Sequence, residues 1–135
     1  LDIDDFKKYN DNYGHLEGDK VLIKFAKIIQ GCLRQSDTAY RYGGEEFSVI
    51  LPVTTSEQGV IAADRVRVGM RNEVFIPSIG KNIHVTVSIG VAQYRRDEDI
   101  MDFLRRADQN LYAAKAAGKD RVYYSMDQEQ MGLEW

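Results

Sequence analysis

Cysteine is almost absent from this chain. Cys32 is the single one among 135 residues, so no internal disulfide can form and a reducing compartment is the default setting. Proline occurs only twice, at Pro52 and Pro77, both at positions that suit strand edges or ends. No apolar run approaches the ~20 residues a membrane helix needs. An excess of basic charge is also missing. Lys and Arg total 18 against 21 Asp and Glu, a net charge of −3, which disfavours the broad cationic face that nucleic acid demands. A small phosphorylated ligand needs only a local cluster of cations and stays compatible. There is no G-x-x-x-x-G-K-[ST] and no G-x-G-x-x-G, and "GHLEGDK" has its glycines and lysine at the wrong spacing for a phosphate loop. Any nucleotide would therefore be held by metal and side chains. Internal repeats, low-complexity stretches and linkers are absent as well.

What is present suffices for one domain. The chain is 44% hydrophobic and 29% charged, enough to bury a core and stay in solution. It opens on Leu1 and enters "LDIDDF" at once, so it reads as a fragment, with any targeting segment out of view. "LDI" reads as the end of a strand, and Asp4 as the N-cap of a short helix through Phe6 and Tyr9. "NDNYGH" is rich in turn residues and predicts a break. From 16 to 33, Val21, Leu22, Phe25, Ile28, Ile29, Cys32 and Leu33 recur at helical spacing. "TAYRY" and "FSVILPV" predict a hairpin turning at Gly43-Gly44. A helix over 56–71 follows, capped by Thr55 or Ser56. A weak strand at 74–76 is expected to pair, through "SIGKN", with "HVTVSIGVAQY". In that run Val85, Val87, Ile89 and Val91 share one face, and Thr86, Ser88 and Gly90 the other. A last helix over 99–117 carries Ile100, Phe103, Leu104, Ala107 and Leu111 along one side, with Gly118 as C′ residue. "RVYYS" closes the pattern. The order β-α-α-β-β-α-β-β-α-β predicts an α+β fold with a mostly antiparallel central sheet flanked by helices. The domain is expected to span 1–126, followed by a polar tail over 127–135.

"RYGGEEF", Arg41 to Phe47, carries the sharpest chemical signal. Two carboxylates on a tight turn repel each other, and a cation would relieve them. If the first strand lies beside the hairpin, Asp2 and a glutamate converge. Such an oxygen-only set suits Mg²⁺ or Mn²⁺, with phosphates and water completing the shell. Neighbours in a strand point to opposite faces, so Glu45 and Glu46 are expected to differ in role. Gly43 and Gly44, lacking side chains, let a phosphate approach the backbone. The competing reading is an acidic surface tip. Lys7 and Lys8 lie near Asp2, and Lys115, Lys119 and Arg121 follow the last helix. They suit a triphosphate, although lysines at a helix C-terminus also satisfy its dipole. His15 reads as a turn residue and His84 as a strand-end surface residue.

"LDIDDFKKYNDNYGHLEGD", "RYGGEEF", "SIGVA" and "LYAAKAAGKDRV", in this order and over nearly the whole chain, resemble the GGDEF domain of diguanylate cyclases. The resemblance implies a fold like the palm of class III nucleotide cyclases and some polymerases. It implies an Mg²⁺-dependent enzyme that joins two GTP into cyclic di-GMP and two pyrophosphates, with a homodimer bringing two GTP-loaded domains face to face. Asp2 then matches a metal-binding aspartate, Ile3 a metal-facing carbonyl, and Glu45 the glutamate that binds metal and is essential for turnover. Glu46, its neighbour, is implied to be needed too. Phe6, Lys7, Lys115 and Lys119 match residues at the triphosphate, where many relatives carry Arg at the last position. Asn10 and Asp19 match the guanine-reading pair. A carboxylate accepts both N1–H and N2–H of guanine, which favours GTP over ATP.

"RQSD", Arg34 to Asp37, stands where the family carries an R-x-x-D inhibitory site for its own product, and Arg65 matches the second arginine of that interaction. Arg forks onto guanine O6 and N7. The alternative is a catalytically silent domain that binds cyclic di-GMP or GTP as a signalling module. The intact GGEEF speaks for the enzyme. Relatives carry an upstream helix and a loop with "LTGL" and "NR", so their lack here would expose a sheet edge and thin the guanine pocket. An upstream sensor domain is implied for the parent protein. The expected location is cytoplasmic, or the cytoplasmic part of a membrane-anchored bacterial protein.

Overall fold

The computed structural model describes residues 1–125, so the expected polar tail over 127–135 lies outside the described residues. The elements are β1 (Asp2–Ile3), α1 (Phe6–Tyr13), α2 (His15–Cys32), β2 (Thr38–Gly43), β3 (Glu46–Ile50), α3 (Ser56–Asn72), β4 (Phe75–Ser78), β5 (Lys81–Ile83), β6 (Val87–Val91), α4 (Ile100–Ala116) and β7 (Val122–Tyr124). Five strands form a sheet in the order β2-β3-β1-β6-β7, antiparallel except for the parallel β6–β7 pair. This is the α+β architecture expected.

Alternation along the strands sorts side chains to two faces. Ile3, Phe47, Val87 and Ile89 join Phe25 and Ile29 of α2 and Val66 and Met70 of α3 in one core. Phe25 and Phe47 meet edge to face at 5.0 Å, a favoured aromatic geometry. The even positions of β6 face the other way, towards α4. A Cβ on Gly90 would collide with the Ala107 carbonyl and the Leu111 amide. Glycine at this position lets α4 lie directly on the strand.

The local chemistry sets most boundaries. Thr55 caps α3 in a full capping box with Gln58, and Asp99 caps α4 by accepting from the Met101 amide. Gly118, at φ 122, follows α4 as the expected C′ residue.

Four expectations need correction. Asp4 is no cap: Asp5 takes that position, at φ 55, without a side-chain hydrogen bond, and Asp4 turns inward. "NDNY" is helical, because Phe6 and Tyr9 bury the inner face of α1, and the break shrinks to Gly14 at φ 89. The acidic hairpin turns one residue later than predicted. A bulge between Arg41 and Gly43 pairs Gly43 with Glu46 and leaves Gly44 and Glu45 as the turn. The strand near 75 pairs with β5 in a separate two-stranded sheet rather than with β6. β6 itself is buried on both faces where it crosses the centre, as Val87, Ser88 and Ile89 show.

Candidate active site

β1 is only two residues long, yet it is the central strand. Asp2 sits opposite Glu46 on one side and Ser88 on the other. The Ile3 amide donates to the Glu45 carbonyl at 3.3 Å, and the Phe47 amide donates to the Leu1 carbonyl at 2.8 Å. The first strand and the GGEE turn are thus zipped together, which meets the condition for Asp2 and a glutamate to converge. The Ile3 side chain is buried in the core, so any role at a metal falls to its backbone. Gly44, at φ 52, opens the turn, and Arg41 Nε clamps its carbonyl at 3.0 Å. A Cβ on Gly43 or Gly44 would meet nothing within 4 Å, so their surroundings are open. Glu45 is half-buried and Glu46 exposed.

Asp2 and Asp4 lie on the side of β1 away from the core. Asp4 is buried and accepts four hydrogen bonds. Ser88 Oγ donates at 2.6 Å, Thr86 Oγ1 at 2.8 Å, the Asp120 amide at 3.0 Å and Lys115 Nζ at 3.1 Å. Lys115 Nζ also lies 3.4 Å from Asp2 Oδ1. That Asp2 oxygen is buried and has no hydrogen-bond partner, so the contact is an ion pair without hydrogen-bond alignment. Burial pushes the Asp2 carboxyl above its ordinary value, Glu45 and Glu46 add to the push, and Lys115 opposes it. Burial acts in the same sense on Asp4. There the hydrogen bonds from Ser88, Thr86, the Asp120 amide and Lys115 outweigh it, and the pKa is lowered.

The other expected cations divide. Lys119 Nζ pairs with Asp5 Oδ1 at 2.6 Å, from a turn in which Lys119 and Asp120 both adopt positive φ, 67 and 47. Lys7 is exposed on α1, whereas Phe6 beside it is buried in the core. Only the backbone of Phe6 could therefore meet a ligand. Asn10 lies over Gly18, where any Cβ would overlap its side-chain oxygen. This close approach of α1 and α2 brings Asn10 beside the turn of helix that carries exposed Asp19. Asn10 Oδ1 is buried without a hydrogen-bond partner.

The second expected site is separate. Arg34 donates to Asp37 Oδ1 at 3.1 Å and to Asp37 Oδ2 at 3.3 Å. It also reaches Thr54 Oγ1 at 2.7 Å and the Pro52 carbonyl at 3.1 Å. The Arg34 hydrogen bond lowers the Asp37 pKa. Arg65 is exposed on α3, and no hydrogen bond or ion pair joins it to Arg34 or Asp37 among the described residues.

The match to known proteins follows the same residues. The family model for "Diguanylate cyclase, GGDEF domain" matches residues 1–121. This chain belongs to the GGDEF family. Diguanylate cyclase A of Treponema denticola is 48% identical over 126 residues, which cover 93% of this chain and 34% of that protein. The chain thus spans about a third of that relative's length. Among solved structures, the active GGEEF domain of a diguanylate cyclase from Vibrio cholerae superposes with a TM-score of 0.85 at 36% identity, over 93% of this chain and 80% of that one. The GGDEF domain of DgcB from Caulobacter crescentus, solved with c-di-GMP, gives 0.87 at 34% identity, over 91% and 73%.

Asp4, Thr86, Ser88, Asp120 and Gly18 of this GGDEF domain were not singled out as site residues in the sequence. Asp4 had one usable signal: it stands two positions after Asp2, on the same side of an extended chain. No helix among the described residues is long and apolar enough to cross a membrane.

Proposed function

We propose that this domain is a diguanylate cyclase, condensing two GTP into cyclic di-GMP and two pyrophosphates. The observation that carries the proposal is the buried Asp2 oxygen that accepts no hydrogen bond, beside the Glu45–Glu46 turn and ion-paired to Lys115. Among the described residues no three His, Cys, Asp or Glu side chains converge into a ready cage. Mg²⁺ commonly takes one or two carboxylates and completes its shell with substrate phosphates and water. Asp2, Glu45 and the Ile3 carbonyl fit that ion, and Mn²⁺ equally. When bound, the metal supplies charge stabilisation for the triphosphate.

The chain's own residues do the rest. Asn10 and Asp19 hold the guanine edge. Lys7, Lys115, Lys119 and the Phe6 backbone meet the phosphates, while Gly43 and Gly44 leave room for them. Lys119 must leave Asp5 to do so, an exchange of one anion for another. Two such domains face each other as a homodimer, each presenting one GTP. In each half-reaction a bond forms from the 3′-oxygen of one nucleotide to the α-phosphorus of the other. The bond from that phosphorus to the pyrophosphate breaks, and the hydroxyl proton is released. Catalysis of this type is mainly positioning and charge stabilisation. Product returning to Arg34 and Asp37, with Arg65, would restrain the enzyme. The greater length of the relatives supports a sensor or dimerisation part in the parent protein, and use of GTP would suit a cytoplasmic reaction.

The test is product analysis by chromatography and mass spectrometry after incubation with GTP and Mg²⁺. Glu45→Ala is expected to lose at least ~10²–10³ of activity with its circular dichroism unchanged. Near-wild-type turnover in that variant would refute the assignment, and GTP binding without product in the wild type would favour a signalling module.

A further inference from the structure

Asp4 is the most heavily bonded side chain near the site, and the mechanism above gives it nothing to do. An ionised carboxylate offers about four lone-pair positions. Asp4 has all of them in use: Oδ1 takes Ser88 and Lys115, and Oδ2 takes Thr86 and the Asp120 amide. It has no capacity left for a metal, whereas Asp2, two residues away, has an oxygen that accepts no hydrogen bond and only faces Lys115 at 3.4 Å. The two acids therefore divide the work.

We propose that Asp4 is a positioning residue that sets both phosphate-facing lysines, Lys115 directly and Lys119 through the backbone of its turn. This rests on the reading of Lys115 and Lys119 as ligands of a nucleoside triphosphate. Lys115 has three donors, and one is anchored on Asp4, so the ammonium stays in place when a cation takes Asp2. The long lysine chain is ordered before the nucleotide arrives, which removes that cost from binding. The Asp120 amide, held by Asp4 Oδ2, is the buried anchor of a turn in which Lys119 and Asp120 adopt positive φ, with Arg67 holding the Asp120 carboxylate at 3.0 Å. This conformation is uncommon for such residues and needs an anchor. The Lys119–Asp5 pair is exposed and is free to exchange partners, whereas the turn that directs Lys119 is held by Asp4 together with the Ala114 carbonyl, Arg121 Nε and Arg67.

The test compares two probes by calorimetry and NMR titration. One is an α,β-methylene GTP analogue with Mg²⁺, which cannot release pyrophosphate. The other is guanosine, which has no phosphate. Asp4→Asn is expected to weaken the analogue about tenfold or more and to leave guanosine unchanged, the scale of a lost charge-assisted hydrogen bond. Ser88→Ala, which keeps Asp4 charged but frees one of its bonds, is expected to give about a twofold to fivefold loss in the same direction. Wild-type affinity for the analogue in folded Asp4→Asn, or equal loss of both probes, overturns the proposal. If Asp4→Asn does not fold, unchanged affinity in Ser88→Ala overturns it. Lys115→Met separates the two layers. Unchanged affinity there removes the phosphate reading of the lysine and this proposal with it, whereas a loss there beside an intact Asp4→Asn removes only the positioning role.

Discussion

The domain holds two acid–base clusters built on opposite principles. Around Asp4, which is 2% exposed, the donors come from β6, α4 and the turn after α4. Arg34, 58% exposed, is itself the donor, and its acceptors come from its own loop and from the Pro52–Thr54 segment. A buried carboxylate without its donors would carry an uncompensated charge, so the first cluster must stay assembled. In the second, the Asp37 carboxylate is 3% exposed but the guanidinium over it lies in water, where an ion pair contributes less and exchanges more readily. One is suited to hold a geometry fixed. The other is suited to open for a ligand that offers better partners than Asp37 and Thr54.

That contrast is open to attack from both ends. Asp4→Ala should cost about 3–5 kcal/mol in urea unfolding, the scale of a broken buried pair; a loss well under ~1 kcal/mol, the range of surface pairs, would erase the distinction. Gly90→Ala should cost about 1–3 kcal/mol, since its methyl group forces α4 away from β6 and Lys115 with it; an unchanged urea midpoint would mean that α4 need not lie so close. The Glu98–Arg106 pair is intermediate, a helix-end acid bonded at 2.7 Å. The Arg106 hydrogen bond holds Glu98 down at about 2, from 4.5. A carboxyl depressed on folding stabilises the fold above its unfolded value and loses that contribution as pH falls through its folded value. Stability should therefore decline as pH drops below 4.5 towards 2, and Glu98→Gln should flatten that slope in a pH series of melting curves. The smallest effect is expected for Arg34→Ala, whose urea midpoint should stay near wild type while its affinity for cyclic di-GMP falls. Equal product affinity in the two proteins would dispose of the inhibitory site.

The α+β pattern and the position of the acidic turn were legible in the sequence because their signals are local: alternation in "HVTVSIGV", helical spacing over 16–33, and glycines against glutamates. Arg34 and Asp37 were legible for the same reason, being three residues apart. Thr54 and the Pro52 carbonyl were not, since nothing in "LPVTT" signals an arginine some eighteen or twenty residues earlier. Asp4 was misread because two rules compete at that residue. An aspartate before a helix suggests a cap, and an aspartate two after Asp2 suggests a shared face. The second rule wins because the Asp4 amide continues the ladder to the Thr86 carbonyl at 2.9 Å. "NDNY" misled through composition, since packing of Phe6 and Tyr9 outweighs the turn preference of Asn and Asp. The partners of Lys115 lie more than a hundred residues away, beyond any pattern of spacing.

The same separations have a kinetic consequence. Ser88 reaches Asp4 across 84 positions, Lys115 across 111 and the Asp120 amide across 116. Closing such long loops delays the contacts that depend on them. During synthesis Asp4 leaves the ribosome 82 to 116 positions before the groups that bond it. At ~5–20 residues per second, 116 positions correspond to roughly 6–23 seconds. Throughout most of that interval the nascent chain carries Asp4 without Lys115 and without the Asp120 amide. Assembly of the Asp4 cluster is therefore among the last events in the maturation of the domain.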